Sequence, residues 1–263
     1  MSERVLAFEA VENVRDYGDY GTAAGRRLAR RRLLRSGHHA KATDADLQRF
    51  HDLGVAVVVD LRHPAEREYQ PSRRHAAFSG AVIESAIRAD EGEPPHITFL
   101  RTTDLTDESV RTFMTATYRR LPFEARHLEL FSRYFHALAD ADGAVLIHCA
   151  AGKDRTGLLA ALTHHVAGVS DDDVMEDYLL TNTAVDLAAR APEVAATIEQ
   201  HFGRKASPAA VQAFLGVEAD YLRAAFDEIR ARHGSLDAYL DQALGVDAAM
   251  REKIEARLCP ECA

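Results

Sequence analysis

Cysteine, tryptophan and long hydrophobic runs are scarce or absent in this 263-residue chain. There is no tryptophan, and three cysteines are too few for the disulfide framework of a small secreted domain. No unbroken hydrophobic run exceeds five residues, whereas a membrane-spanning helix needs roughly 20. The N-terminus also lacks the hydrophobic core of a signal peptide. We therefore expect a cytoplasmic protein without a membrane span, with export by a route that needs no cleaved signal left open.

Basic residues are fewer than acidic residues in this chain, 32 against 41. The net charge of −9 at pH 7 argues against a nucleic-acid binder that works through bulk charge, although it leaves room for one local basic pocket. Only four of the 32 basic residues are lysine. Arginine favours bidentate contacts with anions, but a GC-rich genome produces the same bias. The 47% hydrophobic content is enough for a sizeable core, so we expect a folded chain.

The hydrophobic pattern predicts an α/β fold whose last third is helical. Predicted strands at 55–60, 81–87 and 144–149 alternate with predicted helices at 43–53, 107–120, 123–140, 154–167 and 170–187. Residues 13–36 are expected to form turns and a short hairpin, and residues 88–106 an exposed loop. From residue 191 onward the pattern is helical, with breaks near 203–208, 216, 234 and 245. We expect one domain over 1–263, with a core at about 10–187 and a helical elaboration at about 188–258 that adds packing or forms a lid.

The most informative segment is residues 148–157, HCAAGKDRTG. It does not match a nucleotide-binding Walker loop, because Ile147 and Asp154 stand where that loop needs glycine and serine or threonine. A predicted strand ends at Cys149, a loop of small residues follows, and a helix begins near Asp154. Loop amides and a helix N-terminus then converge on one point, which is a ready anion site. Gly152 permits backbone torsions there that other residues resist.

The same segment predicts a nucleophile beside the anion site. Arg155, six residues after Cys149, can fold its guanidinium over that point and contact two phosphate oxygens. The positive field that binds a dianion also stabilises a thiolate. We therefore predict hydrolysis of phosphate monoesters through a phosphocysteine intermediate, with no metal or other cofactor. The predicted phosphate contacts are Ala150, Ala151, Gly152, Lys153, Asp154 and Arg155.

Four motifs together resemble the atypical bacterial Cys-dependent protein tyrosine phosphatases, a family with mycobacterial and lipid-phosphatase-like members. The motifs are NVRDYG at 13–18, LRSG at 34–37, DLR at 60–62 followed by Glu66, and HCAAGKDRTG. The match spans roughly residues 10–185, and Asp19 departs from a pattern that tends to have glycine. The resemblance implies a central, mostly parallel sheet flanked by helices. It implies a phosphotyrosine protein as the leading substrate, with dual-specificity or phosphoinositide hydrolysis as the alternative.

The general acid has three candidates at this stage. The chain lacks the tryptophan of the usual Trp-Pro-Asp loop, and the resemblance instead implies Asp154, inside the phosphate loop. Asp154 is otherwise a helix N-cap or first-turn carboxylate. Asp60 is a rival because it ends a strand, where α/β folds collect site residues. Asp104 is a rival because it lies in the threonine-rich 101–109 loop, which could close over the site.

Four further residues are candidate supports for the site. A cation at Lys153 suits a substrate with more than one phosphate; the alternative is an exposed, solvated lysine. Arg62 is either a second substrate cation or the partner of Glu66. We expect His148 to orient the loop. Thr156 either donates its hydroxyl to the thiolate or caps the helix turn.

Other functions remain open at this stage. A phosphate-binding module without turnover would use the same cradle, and a rhodanese-type persulfide carrier also places a cysteine at a strand–helix turn. The Cys259-x2-Cys262 pair lacks the second ligand pair of a zinc site, so we expect a frayed tail. His38-His39 and His164-His165 have no metal-ligand context. The oligomeric state is left open.

Overall fold

The structure is a computed structural model that describes residues 4–88 and 95–260. Its centre is a five-stranded sheet with the strand order β1-β2-β5-β3-β4. The strands are β1 Arg15–Asp16, β2 Leu33–Ser36, β3 Val55–Asp60, β4 Ala81–Ile83 and β5 Ala144–His148. Four of them run parallel, and β1 pairs antiparallel with β2 at one edge. The predicted α/β fold with a mostly parallel central sheet is confirmed.

Helices make up most of the remaining chain. They are α1 Asp44–Asp52, α2 Pro64–Tyr69, α3 Pro95–Thr102, α4 Asp107–Arg120, α5 Ala125–Asp140, α6 Asp154–Val166, α7 Asp171–Leu179, α8 Thr181–Ala184, α9 Leu187–Phe202, α10 Pro208–Leu215, α11 Ala219–His233, α12 Leu236–Leu244 and α13 Ala248–Leu258. A short 3-10 helix, Leu121–Phe123, joins α4 to α5. Within the described residues, no helix is long and apolar enough to cross a membrane.

The central strands place the site at one edge of the sheet. β5 is buried along its whole length, and β3 is buried over its last four residues, as expected for parallel strands covered on both faces. In the register, His148 of β5 lies opposite Ser36 of β2 on one side and Asp60 of β3 on the other. The three carboxyl ends therefore meet at one edge, where open α/β sheets bind their ligands.

Each face of the sheet has its own hydrophobic core. The larger core contains α5 and α6 together with the C-terminal helices, and nearly every residue of α6 is buried. The smaller core lies under α1 and the N-terminal segment. Helix α1 begins as predicted at Thr43, whose side chain accepts from the Asp46 amide, while the Asp46 carboxylate accepts from the Thr43 amide.

Several predicted boundaries were wrong. Part of the predicted 88–106 loop is helix α3, while residues 89–94 lie outside the described residues. The predicted 81–87 strand pairs only over 81–83, since β4 is a short edge strand. The predicted 170–187 helix is interrupted and forms α7 and α8 before α9 starts. The breaks predicted in the C-terminal third do separate α9 to α13, and a bridge between Gly21 and Arg27 closes the predicted hairpin. The turns expected over 13–36 were wrong at both ends, because β1 and the buried strand β2 lie there and belong to the central sheet.

Candidate active site

The loop after β5 turns its carbonyl groups away from its centre. The carbonyl oxygen of Ala150 accepts from the His38 amide at 3.0 Å. The carbonyl oxygens of Ala151 and Gly152 accept from Asn13 Nδ2 at 3.2 and 2.9 Å. In a trans peptide the N–H points opposite to the C=O, so the amides of residues 151–153 face the concave side of the loop. This orientation of the peptide groups is the one that the predicted cradle of backbone donors requires.

Gly152 is required by both its torsion angle and its surroundings. Its φ is +68°, in the left-handed region that favours glycine. A Cβ at this position would lie 2.4 Å from the carbonyl oxygen of Ser36. The backbone of the LRSG motif therefore packs directly against the phosphate loop at Gly152.

A buried ion-pair network holds the outer side of this loop. Arg35 donates to the carbonyl of Gly152 at 3.0 Å and to the Asp177 carboxylate at 2.7 Å. Arg15 donates to the same carboxylate at 3.2 Å and to the side chain of Asn13. Burial raises the pKa of Asp177, but the charges of the two arginines lower it by more, to about 2. The NVRDYG and LRSG motifs and helix α7 thus form one support for the cradle.

Cys149 lies at the end of β5, only 2% exposed, at the base of this cradle. Thr156, in the first turn of α6, is fully buried, and its hydroxyl has no hydrogen-bond partner among the described residues. That hydroxyl is therefore available to a thiolate, as one of the two sequence expectations requires. The capping alternative for Thr156 has no bond to support it in the described part of the chain.

Arg155 has two of its five donors unused on one edge. Its Nη1 donates to Glu66 Oε2 at 2.6 Å and to the carbonyl of Leu61 at 3.3 Å, and its Nη2 donates to Glu66 Oε1 at 2.9 Å. Within the described residues, Nε–H and the second Nη2–H have no partner. These two lie side by side in the guanidinium plane, which is the fork that binds two oxygens of a phosphate.

Glu66 is the functional residue whose role the sequence analysis missed. It was considered as a partner of Arg62, but it binds Arg155 instead. Burial lowers the pKa of Arg155, but its bonds to Glu66 and the nearby charges of Cys149 and Asp154 raise it by more. Burial likewise raises the pKa of Glu66, and Arg155 lowers it by more, to about 2. The available signal was the position of Glu66 after the DLR motif, in the first turn of α2.

Arg62 and Asp60 form a closed pair, so both earlier expectations for Arg62 are corrected. Arg62 is 1% exposed and donates to both oxygens of Asp60, to the carbonyl of Gln70 and to Ser72. Its guanidinium is committed to these protein acceptors, and the described residues show no bond between Arg62 and the Glu66 carboxylate. Burial raises the pKa of Asp60, but the charges of His148 and Arg62 lower it far more, to well below its usual range. A carboxylate so paired has no proton to donate.

Asp154 is the candidate acid that the structure places on the loop. It is the first residue of α6, and its side chain is 24% exposed. Its Oδ1 accepts from the Tyr118 hydroxyl at 2.9 Å, and its Oδ2 lies 3.7 Å from Lys153 Nζ. Asp104 is exposed, and its carboxylate accepts from Thr106 at the start of α4. Among the described residues, no contact links Asp104 to the phosphate loop.

Lys153 is not the exposed, solvated lysine that was one expectation. It is 8% exposed, and its ammonium donates to the carbonyls of Phe214 and, at 3.2 Å, Gly216. These carbonyls stand at the C-terminal end of α10, where the helix dipole favours a cation. The helical C-terminal third therefore contacts the phosphate loop directly.

Comparisons with known proteins identify the family of this chain. A sequence model described as the tyrosine phosphatase family matches residues 6–260. The chain is 35% identical to a Cupriavidus necator protein named "Putative tyrosine-protein phosphatase", over 93% of this chain and 85% of that one. It is 31% identical to the triple specificity protein phosphatase PtpB of Mycobacterium tuberculosis, over 88% of this chain and 91% of that one.

The chain belongs to the tyrosine phosphatase family. It is therefore a phosphatase, and not a persulfide carrier that shares only the strand–cysteine–helix turn. A solved structure, TpbA of Pseudomonas aeruginosa, overlaps at 19% identity with a TM-score of 0.25, over 78% of this chain and 94% of that one.

Behind the cradle of this phosphatase, His148 forms a stack with His39, with 4.4 Å between the ring centroids. Burial lowers the pKa of His148 to about 4, so its ring is neutral at pH 7. Its Nδ1 lies 3.4 Å from the carbonyl oxygen of Cys149, and its Nε2 lies 3.6 Å from Asp60. A buried, neutral ring in this place fits the expected orienting role.

The weaker sequence signals have structural explanations. Cys259 is buried at the end of α13, so the expectation of a frayed tail was wrong at this residue; Cys262 lies outside the described residues. His164 contacts the carbonyl of Tyr17 through Nε2, and His165 pairs with Asp237. The described part of the chain contains no cluster of three or more potential metal ligands.

Proposed function

We propose that this phosphatase hydrolyses phosphotyrosine in proteins, with Cys149 as the nucleophile. The observation that carries the proposal is the cradle itself. It is supported by the outward carbonyls of Ala151 and Gly152, which leave the loop amides free, and by the two N–H groups of Arg155 that Glu66 does not use. A phosphate monoester dianion fits this set of donors, and its phosphorus is then aligned with the sulfur.

In the first step, the Cys149 thiolate attacks phosphorus. An S–P bond forms, the P–O bond to the substrate breaks, and the leaving oxygen takes a proton from Asp154. The partly exposed carboxyl of Asp154, on the loop that holds the phosphate, is suited to reach that oxygen. The inward amides and Arg155 stabilise the equatorial oxygens as charge spreads over them.

In the second step, water attacks the phosphocysteine. The S–P bond breaks, the electron pair returns to sulfur, and the water proton passes to the Asp154 carboxylate. Thr156 donates its otherwise unused hydroxyl to the departing thiolate, which lowers the cost of restoring the charge on a buried sulfur. Inorganic phosphate then leaves the cradle.

A wider substrate range is the second candidate. The Mycobacterium tuberculosis relative carries triple specificity in its name. For this chain, the wider range that the sequence suggested comprises phosphoserine, phosphothreonine and phosphoinositide substrates. A contact of Lys153 with a second phosphate requires its ammonium to leave the carbonyls of Phe214 and Gly216. The present position of Lys153 therefore favours the phosphotyrosine assignment.

The test is phosphate release from matched phosphotyrosine peptides, phosphoserine and phosphothreonine peptides, and short-chain phosphoinositides. We expect phosphotyrosine to give the highest kcat/KM. Cys149→Ser should abolish release from every substrate and still bind inorganic phosphate. If phosphoinositides gave the highest kcat/KM, they would replace phosphotyrosine as the assigned substrate. Phosphate release by the Cys149→Ser variant would overturn the mechanism.

Asp154→Asn, assayed beside Cys149→Ser, tests whether Asp154 is the general acid. Its loss of kcat/KM should be large for phenyl phosphate, whose leaving group needs a proton, and small for an aryl phosphate with a strongly acidic phenol. An equal loss with both substrates would remove Asp154 from the acid role.

A further inference from the structure

Three buried or half-buried oxygens form a chain that ends on the candidate acid. The Tyr178 hydroxyl donates to the Tyr118 hydroxyl at 2.7 Å, and the Tyr118 hydroxyl donates to Asp154 Oδ1 at 2.9 Å. The three residues come from α7, α4 and α6. Tyr118 is fully buried and Tyr178 is 1% exposed, whereas Asp154 keeps part of its side chain open.

The direction of these two hydrogen bonds is fixed by the number of hydroxyl protons available. A phenol has one O–H, so a Tyr118 that donates to Asp154 can only accept from Tyr178. Burial raises the pKa of Tyr118 well above its usual value, and the charge of Asp154 raises it further. Tyr118 therefore keeps its proton at every working pH and remains a donor to Oδ1.

A permanent donor on Oδ1 decides where the acid carries its own proton. An oxygen that accepts a hydrogen bond from a buried phenol is a poor place for a second proton, so the acidic proton resides on Oδ2. Oδ2 is the oxygen that lies 3.7 Å from Lys153. The carboxyl is thereby held in one rotamer, with one oxygen anchored in the core and the other directed to the loop.

The packing around Gly157 allows the Tyr118 and Tyr178 rings to lie close to the phosphate loop. Gly157 lies one helical turn after the loop, and a Cβ there would approach the Tyr178 ring to 3.0 Å. The rings of Tyr118 and Tyr178 meet edge to face, with 6.2 Å between their centroids. The glycine that ends the HCAAGKDRTG motif therefore admits the tyrosine that supports Tyr118.

We propose that Tyr118, held by Tyr178, is a positioning residue that orients the Asp154 carboxyl and places its acidic proton on Oδ2. This inference rests on the proposed function, because it needs Asp154 to be the acid. It predicts an effect on proton transfer that a merely structural tyrosine would not have. In the described part of the chain, the hydroxyl of Tyr118 bonds to Asp154 and Tyr178 and to no amide of the phosphate loop.

The test compares Tyr118→Phe with the parent enzyme on two aryl phosphates. We expect kcat/KM for phenyl phosphate to fall by roughly tenfold or more, with much less loss for an aryl phosphate whose phenol is strongly acidic. The inhibition constant of inorganic phosphate should not change. Tyr134→Phe is the matched control, because Tyr134 is equally buried and, within the described residues, its hydroxyl bonds only to Tyr17 and Thr163.

The pH profile supplies a second readout. The Tyr118 hydroxyl donates a hydrogen bond that favours the carboxylate form of Asp154, and Tyr118→Phe removes this bond. The basic limb of the pH profile of kcat/KM should therefore move to higher pH in Tyr118→Phe. Tyr178→Phe should shift the limb in the same direction by less. It also carries the test if Tyr118→Phe does not fold.

A double-mutant comparison separates this inference from the proposed function. If Asp154→Asn alone shows no dependence on the leaving group, the acid assignment fails, whatever Tyr118 does. If Asp154→Asn behaves as proposed, Tyr118→Phe should add no further dependence in that background. An unchanged pH limb in Tyr118→Phe, with equal losses on both substrates, would overturn the positioning role while leaving Asp154 in place.

Discussion

Glu66 holds Arg155 by a two-pronged ion pair, with its two carboxylate oxygens 2.6 and 2.9 Å from the two terminal nitrogens of the guanidinium. A third bond runs from Arg155 to the carbonyl of Leu61. The guanidinium of Arg155 is therefore held in its plane before any substrate arrives, and its Nε–Nη2 edge keeps two N–H groups without a partner among the described residues. Preorganisation of this kind reduces the entropy that must be lost when phosphate binds.

Glu66→Gln keeps the shape of this partner and removes its charge. We expect kcat/KM to fall by roughly 10- to 100-fold, the range usual for loss of a group that orients a site residue. Affinity for inorganic phosphate should fall with it, since the same guanidinium binds product. Steady-state kinetics and phosphate inhibition measure both. Glu68→Gln, two residues along the same helix in an exposed pair with Arg88, should be neutral.

Gly152→Ala should disable the cradle without unfolding the protein. The new Cβ would meet the carbonyl of Ser36 at 2.4 Å in a left-handed backbone, so the loop must shift. A displacement of about 1 Å at a reacting centre costs on the order of 100-fold in rate, and we expect at least that loss in kcat/KM. Gly21→Ala is the control, because a Cβ there meets nothing within 4 Å. Equal activity of the two variants would contradict the assigned loop geometry.

Asp177→Asn should be strongly destabilising. It leaves the buried guanidiniums of Arg15 and Arg35 without their shared carboxylate, and breaking a buried pair from one side typically costs about 3–5 kcal/mol. Denaturant unfolding measures the loss. Asp237→Asn removes an exposed pair with His165 and Arg251 and should cost less than about 1 kcal/mol. Similar losses of unfolding free energy in the two variants would show that the stability of the fold does not depend on the buried ion-pair network behind the loop.

Mild acid should destabilise this phosphatase through its buried histidines. Burial lowers the pKa of His148 and of His63 to about 4, whereas both have their usual value near 6.5 in the unfolded chain. Between these limits the unfolded chain binds protons that the folded chain does not, so stability falls as pH drops from about 6.5 to about 4. His148→Gln should flatten this slope in denaturant titrations, and the exposed His136→Gln should not. A flat stability profile in the parent would contradict the neutral state of these rings.

Local signals explain why much of the fold and part of the site were predicted. The residues of the phosphate loop are consecutive in the chain, so the strand, the turn and the helix around Cys149 can be read from one ten-residue segment. The Thr43 cap of α1 is equally local, since it is set by residues three apart. The α3 helix was missed because glycine and prolines at 92–95 indicated a loop, while contacts with α9 from a distant part of the chain stabilise a helix there.

The sequence alone determined the chemistry of this protein: a cysteine and an arginine six residues apart, on a glycine-containing loop between a buried strand and a helix. Backbone geometry and residue type suffice for that, because the spacing is short. Only the tertiary structure decided which partner each of these polar side chains binds. The pairs are Glu66 with Arg155, Asp60 with Arg62, the C-terminal end of α10 with Lys153, and Tyr118 with Asp154. In three of these pairs the partners lie more than 30 residues apart in the chain, and a buried polar group takes whichever neighbour packing brings within hydrogen-bond distance.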